Sequence, residues 1–106
     1  MQSLHVISAA IPANVTTAFG STVEQGYVRN IWSIKYVNAS TTTAVVTLST
    51  VSGRAVDTDV IPAQNSHYDV NNGIIVANVK QGDQMLAYST QPVTLVVWYN
   101  DEPGSL

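Results

Sequence analysis

Apolar residues return at every second position along almost the whole chain. In 30–38, NIWSIKYVN, Trp32, Ile34 and Tyr36 fall on one side while Ser33 and Lys35 fall on the other. In 43–51, TAVVTLSTV, Ala44, Val46 and Leu48 alternate with Val45, Thr47 and Ser49. A period of two is the signature of β-strands, whose side chains point to opposite faces in turn. In 93–100, VTLVVWYN, Val93, Leu95, Val97 and Tyr99 make one face, and Val96 and Trp98 the other. Both faces of that last strand are apolar, which places it centrally in its sheet or under a partner.

Turn residues punctuate these runs. Ser52-Gly53, Asn72-Gly73 and Gly82-Asp83 separate successive segments, and Asn-Gly is a strong two-residue hairpin signal. Pro12, Pro62, Pro92 and Pro103 all sit at run ends, where a missing backbone donor does least harm. No window of ten or more residues carries a helical period, and 16–25 is interrupted by Gly20 and reads as a loop or short irregular piece. The expectation is an all-β antiparallel β-sandwich, jelly-roll-like or Ig-like, of about seven or eight strands. It forms one domain over residues 1–106, with an N-terminal strand and arm or loop over 1–25 and the sandwich core over 26–102.

Only 10% of residues are charged and 45% are hydrophobic, against ~25% charged in ordinary globular domains. This composition argues against intrinsic disorder, which needs high charge and few apolar residues. A charge-poor surface matches an interface, whose core is depleted in charge, and also an ordinary Thr-rich sheet face. The net charge is −3, and the four basic residues Arg29, Lys35, Arg54 and Lys80 are spread singly, so there is no footprint for nucleic acid. The absence of cysteine excludes disulfides and thiolate metal sites. No apolar stretch is long enough to span a membrane as a helix. The N-terminus lacks the basic start of a signal peptide, which points to synthesis in a cytoplasm.

Groups suited to chemistry are few. Ser66, His67 and Asp69 are too close in sequence to line up as a relay, since alternation puts only His67 and Asp69 on one face. Their expected role is an exposed pair. Asp57 and Asp59 also share a face, and Asp69 is the one further acid that stands out as an addition to them. The set is short of the six to eight oxygens of a calcium site, so structural or solvated acids are the main reading and a metal the lesser one. His5 and His67, far apart and without cysteine, do not make a zinc motif. Phosphate-loop and hydrolase motifs are missing. Asp83, after Gly82, reads as the short acceptor of a hairpin turn. The expectation is therefore no catalytic residue, no metal and no cofactor.

The tyrosines and tryptophans, Tyr27, Trp32, Tyr36, Tyr68, Tyr88, Trp98 and Tyr99, offer a sugar-stacking platform as one reading. Trp32 is expected in the core beside Ile34. Trp98 is expected under a neighbouring subunit or loop, since tryptophan is enriched at interfaces. Trp98, Val96, Tyr27 and Tyr88 are the candidate interface residues. The sequons at Asn14 and Asn38 read as chance matches.

Taken in order, NIWSIKYVNASTTTAVVTLST, DVIPAQNSHYDV, GIIVANVKQGDQMLAYST and VTLVVWYNDEP resemble small β-sandwich virion proteins of tailed bacteriophages, over roughly residues 26–102. This sequence reads IPAQNS where a glycine often follows the alanine, a departure that touches one turn. The resemblance implies a structural part of the particle: a capsid decoration or cement protein, or a tail or fibre component. It implies partners among the major capsid protein or other virion proteins and brings no catalytic residues. Trp98, the charge-poor surface and the usual symmetry of small structural proteins add the expectation of a homo-oligomer, a trimer in its specific form. A carbohydrate-binding or adhesion module is the alternative from another class.

Overall fold

The computed structural model describes residues 4–104; residues 1–3 and 105–106 of the expected single domain lie outside the described residues. Nine strands follow in order: β1 (His5–Ile11), β2 (Thr17–Phe19), β3 (Tyr27–Asn38), β4 (Ala44–Thr50), β5 (Ala55–Ile61), β6 (Asn65–Val70), β7 (Ala77–Val79), β8 (Met85–Ser89) and β9 (Val93–Pro103). They form two antiparallel sheets, β1-β9-β3-β6 with β7 also paired to β3, and β2-β8-β4-β5. The all-β sandwich expected from the alternation is the fold.

The strand order resolves the choice left open between jelly-roll and Ig-like arrangements. β1 pairs with β9, β2 with β8, β3 with β6 and β7, and β4 with β5. The chain is thus one long hairpin, closed at β4–β5 and rolled up so that successive pairs alternate between sheets, which is the jelly-roll order. The count rises above eight for two reasons. The 16–25 segment contains the three-residue β2. In addition, β6 and β7 run end to end along the same edge of β3, which makes them one interrupted strand.

That interruption changes the expected role of Asn72-Gly73. Both residues take positive φ (47° and 80°), as the turn signal requires, and Ile74 N donates to Asn71 O. The turn nevertheless joins no long hairpin; it is a short excursion between β6 and β7. On the other side of β3, the register with β9 shifts between Ile31 and Ser33, a bulge that leaves Trp32 unpaired in the ladder. Trp32 is consequently only partly buried and stands outside the core expected for it, its indole Nε1 donating to Asn100 Oδ1.

The core lies between the sheets. Ile34 and Tyr36 of β3, Ala44, Val46 and Leu48 of β4, and Val93, Leu95 and Val97 of β9 are all fully or nearly fully buried. These are the inward sets read from the sequence, apart from Trp32. The strand with two apolar faces, β9, is internal to its sheet, between β1 and β3. At one end of that sheet Arg29, almost fully buried, makes a two-point pair with Asp101 (Nε–Oδ1 2.8 Å, Nη2–Oδ2 3.0 Å) and lies over the Tyr99 ring at 4.4 Å.

Asp83 is not the hairpin residue expected. β7 and β8 belong to different sheets, so Gly82-Asp83 carries the chain across the sandwich. The Asp83 carboxylate is buried, 5% exposed, and receives hydrogen bonds from Ser52 N (3.0 Å), Ser52 Oγ and Gln84 N (3.0 Å). It fastens the β4–β5 turn to the crossover, where Val51 N also donates to Gln84 O. Burial pushes the carboxyl upward, but the bonds from the Ser52 and Thr50 side chains and the Ser52 and Gln84 amides outweigh it and hold the pKa at about 2.

A folded-state pKa below the ordinary 3.8 means that the carboxylate stabilises the fold above about pH 4 and that this contribution disappears as the pH falls through 2. The difference amounts to about 2 kcal/mol. Asp83→Asn is expected to lose about that much at pH 7 and to flatten the loss of stability between pH 4 and pH 2. Urea unfolding across that range, followed by tryptophan fluorescence, measures both effects.

Candidate functional site

Two regions stand out: the outer faces of the sheets, and a group of titratable side chains between the sheets at one open edge. The outer face of the β1-β9-β3-β6 sheet is laid out by its registers in three rows. The first runs Val6–Trp98–Ser33–Val70, the second Ser8–Val96–Lys35–Tyr68, and the third Ala10–Thr94–Val37–Ser66. Val6, Tyr68 and Val70 are exposed, at 57%, 52% and 64% of their surface, and Trp98 and Val96 are half-buried beside them. The Tyr68 and Trp98 rings stand 6.0 Å apart, and Lys35 Nζ lies 5.3 Å from the centre of the Tyr68 ring.

The opposite sheet presents Val60–Val45, Thr58–Thr47–Tyr88 and Ser49–Leu86–Ala18 outward. Of the four basic and seven acidic residues of the chain, Lys35 alone belongs to either set of rows. Beyond these rows the face of the first sheet carries Glu102, paired with Val28 and accepting from Asn30 Nδ2 at 2.6 Å, so this acid stands apart from the Trp98 patch.

The four residues expected at an interface do not form one patch. Trp98 and Val96 are adjacent on one outer face. Tyr88 is on the face of the other sheet, its hydroxyl donating to Asn14 Oδ1 at 3.1 Å. Tyr27 begins β3 opposite Pro103 and packs against the core. Val6, Tyr68 and Val70 complete the Trp98 patch; their alternation with inward residues was present in the sequence, but the strands that bring them together are distant along it. The Asn38 sequon is closed, because Asn38 is buried and its Nδ2 donates to Thr42 O, Ile61 O and Pro62 O.

The second region arises where β5 and β6, the edge strands of the two sheets, approach each other. Asp57 and Asp59 point inward from β5, and His67 and Asp69 point inward from β6. His67 Nε2 stands 3.2 Å from Asp69 Oδ1 and 3.5 Å from Asp59 Oδ1. Tyr36, on the neighbouring β3, donates its hydroxyl to Asp57 Oδ2 at 2.6 Å. Ser66 falls on the outer face, apart from His67 and Asp69, as its position in the alternation requires. His5 lies across the sheet against Tyr99. The His67–Asp69 pair expected from the sequence is present, and the structure adds Asp59 to it from the other sheet.

Three carboxylates in one place cannot all hold full charge without cost. Burial works against the charge on Asp57, but hydrogen bonds from Asp69 and Tyr36 bring its pKa below the ordinary value. Burial and then the neighbouring Asp69 and Asp57 push Asp59 up to about 8. Burial and Asp57 likewise raise Asp69. Burial, followed by the bond to Asp57, drives the Tyr36 phenol far upward, so it remains a proton donor. The arrangement can share protons among its acids and could hold a cation, with Asp59, His67 and Asp69 as the residues whose ligand atoms lie within 4.8 Å of one another.

Neither the depression beside Val37–Ala39 and Gln64–Ser66 nor the one beside Ala10–Pro12 and Pro92–Thr94 is lined by a titratable side chain. Among the described residues no helix is long and apolar enough to cross a membrane. Compared with known proteins, the chain matches no family model, no curated protein and no solved structure.

A carboxyl whose folded pKa is raised stabilises the fold fully below its ordinary pKa and loses that contribution as the pH rises through the folded value. For Asp59 the loss runs from about pH 4 to about pH 8. In the presence of a chelator, Asp59→Asn is expected to match the parent chain in stability below pH 4 and to exceed it by a growing margin up to pH 8. Thermal melts across that range, showing no gain at pH 8, would count against the charge crowding.

Proposed function

We propose that the chain is a non-catalytic structural protein of a virus particle, which decorates or cements the capsid of a tailed phage by burying an outer sheet face against other subunits. The observation that carries this reading is the outer face of the β1-β9-β3-β6 sheet, where Val6, Trp98, Val96, Tyr68 and Val70 stand together with Lys35 as their single charge. Large exposed apolar patches on soluble domains mark places where another surface docks. The molecule measures 42 × 27 × 18 Å, so a broad face covers on the order of 1,000 Å², comparable with the ~800 Å² that each partner gives to a standard interface.

The ordered likeness to small phage virion proteins supplies the kind of assembly, and the face supplies the means. A homo-oligomer, trimeric in the specific form of the proposal, follows the general preference of small structural proteins for closed symmetry. Tail or fibre placement uses the same face and differs in copy number. The jelly roll by itself does not discriminate, since the architecture serves capsid and lectin domains alike. The carbohydrate-binding alternative has one observation in its favour, the neighbouring rings of Tyr68 and Trp98.

Two measurements separate these readings. Mass spectrometry of purified particles of the encoding virus is expected to find the chain in hundreds of copies for decoration or a handful for a tail or fibre; its absence overturns the proposal. Multi-angle light scattering is expected to show an oligomer that Val6→Lys with Val70→Lys converts to a folded monomer, because both positions are already solvent-facing. A parent chain that stays monomeric at high concentration and does not bind capsids, yet binds glycans in a manner abolished by Trp98→Ala, would establish the adhesion reading instead.

A further inference from the structure

We propose that Asp59, His67 and Asp69 form a binding site for a first-row divalent cation, Zn²⁺ foremost, which ties the edge of one sheet to the edge of the other. Asp59 comes from β5 in one sheet, and His67 and Asp69 come from β6 in the other, so an ion held by all three closes the open side of the sandwich. This inference does not depend on the assembly reading, because the site faces the seam and not the outer faces.

The spacing is the first argument. Two ligands ~2.1 Å from a tetrahedral centre stand ~3.4 Å apart. His67 Nε2 is 3.2 Å from Asp69 Oδ1 and 3.5 Å from Asp59 Oδ1. The first is at the long limit of an N–H···O bond and the second beyond it, and one Nε2–H can point well at only one of the two oxygens. The nitrogen thus lies between two carboxylates, with all three ligand atoms within 4.8 Å of one another, a spacing that a shared ion would draw together.

An independent observation comes from the other oxygen of Asp59. Asp59 Oδ2 is shut off from solvent and has no hydrogen-bond partner. A carboxylate oxygen in that state calls for a positive charge or a proton beside it. Among the described residues no lysine or arginine pairs with Asp57, Asp59 or Asp69; the arginine ion pair is between Arg29 and Asp101. Lys35 lies on the outer face over Tyr68. Asp57, held by the Tyr36 hydroxyl, adds negative charge behind the three ligands.

The donor set selects the ion. One imidazole and two carboxylates suit Zn²⁺ and its neighbours in the first row. Calcium needs six to eight oxygens, and magnesium prefers oxygen ligands and retains its water. His67 is 45% exposed, which gives the ion an entry route and leaves room for a water in the fourth position.

The test titrates the chelator-treated full chain with Zn²⁺ by calorimetry and native mass spectrometry at pH 7.5. One ion per chain is expected. Binding should weaken at least tenfold in His67→Ala and in Asp59→Asn and stay unchanged in Glu24→Gln, an exposed acid of a distant loop. Asp59→Asn guards against simple unfolding, since the amide removes charge crowding without removing volume. Hydrogen exchange in β5 and β6 should slow when Zn²⁺ is added to the parent chain. No saturable binding, binding that survives His67→Ala, or binding without added protection of β5 and β6 would each overturn the proposal. The first of these, combined with the pH 8 stabilisation of Asp59→Asn, would identify the cluster as proton-sharing only.

Discussion

The ladder between β3 and β9 is the constraint on which the rest of the molecule depends. These are the two longest strands, twelve and eleven residues, and they lie side by side inside one sheet. Because side chains alternate, their register decides at once what is inside and what is outside. Ile34, Tyr36, Leu95 and Val97 go to the core, while Ser33, Lys35, Val96 and Trp98 go to the outer face. The same ladder puts Tyr36 beside the seam, where its hydroxyl meets Asp57. The single bulge at Trp32 keeps both halves of β3 in phase with the core although their patterns do not match, since Arg29 and Ile31 precede it and Ile34 and Tyr36 follow it among the buried residues.

What could be read in advance follows from where the information lies. Alternation is local, so the inward sets of β4 and β9 were legible from their own residues. Trp32 was misplaced because a bulge changes the phase by one residue, and nothing in NIWSIKYVN marks it. Turn chemistry is also local: Asn72-Gly73 adopts the positive φ values its residues favour. Whether a turn closes a hairpin or crosses between sheets is a long-range matter, and Asn72-Gly73 and Gly82-Asp83 were both read as hairpins for that reason. Asp83 shows the consequence, because the Ser52 groups that bind it are 31 positions away in the sequence.

The candidate site divides in the same manner. Asp57 with Asp59, and His67 with Asp69, are each visible as pairs at strand spacing. Their convergence is not visible, since it needs β5 and β6 to be the edge strands of different sheets with their inner faces opposed. The outer-face patch is likewise half legible: Val96 and Trp98 share a strand, but Val6 and Val70 reach them only through the registers of β1 and β6.

Polar and apolar surfaces are therefore sorted by position in this jelly roll. The rows around Trp98 and those of the opposite face carry Lys35 as their one charge, Glu102 stands at the far end of β9, and the aspartates gather at the seam or are paired inside the fold. Buried or crowded acids stabilise a structure only when something meets them. Asp83 is met by amides and a hydroxyl, and Asp101 by Arg29. Asp59 and Asp69 are met by His67 and otherwise by carboxyls, each other and Asp57. A sheet that used charge for solubility would spread it over the faces; here most of the acids sit at the seam or in pairs within the fold. That distribution leaves uncharged side chains around Trp98 on the face and concentrates the unmet carboxylates where β5 and β6 approach each other.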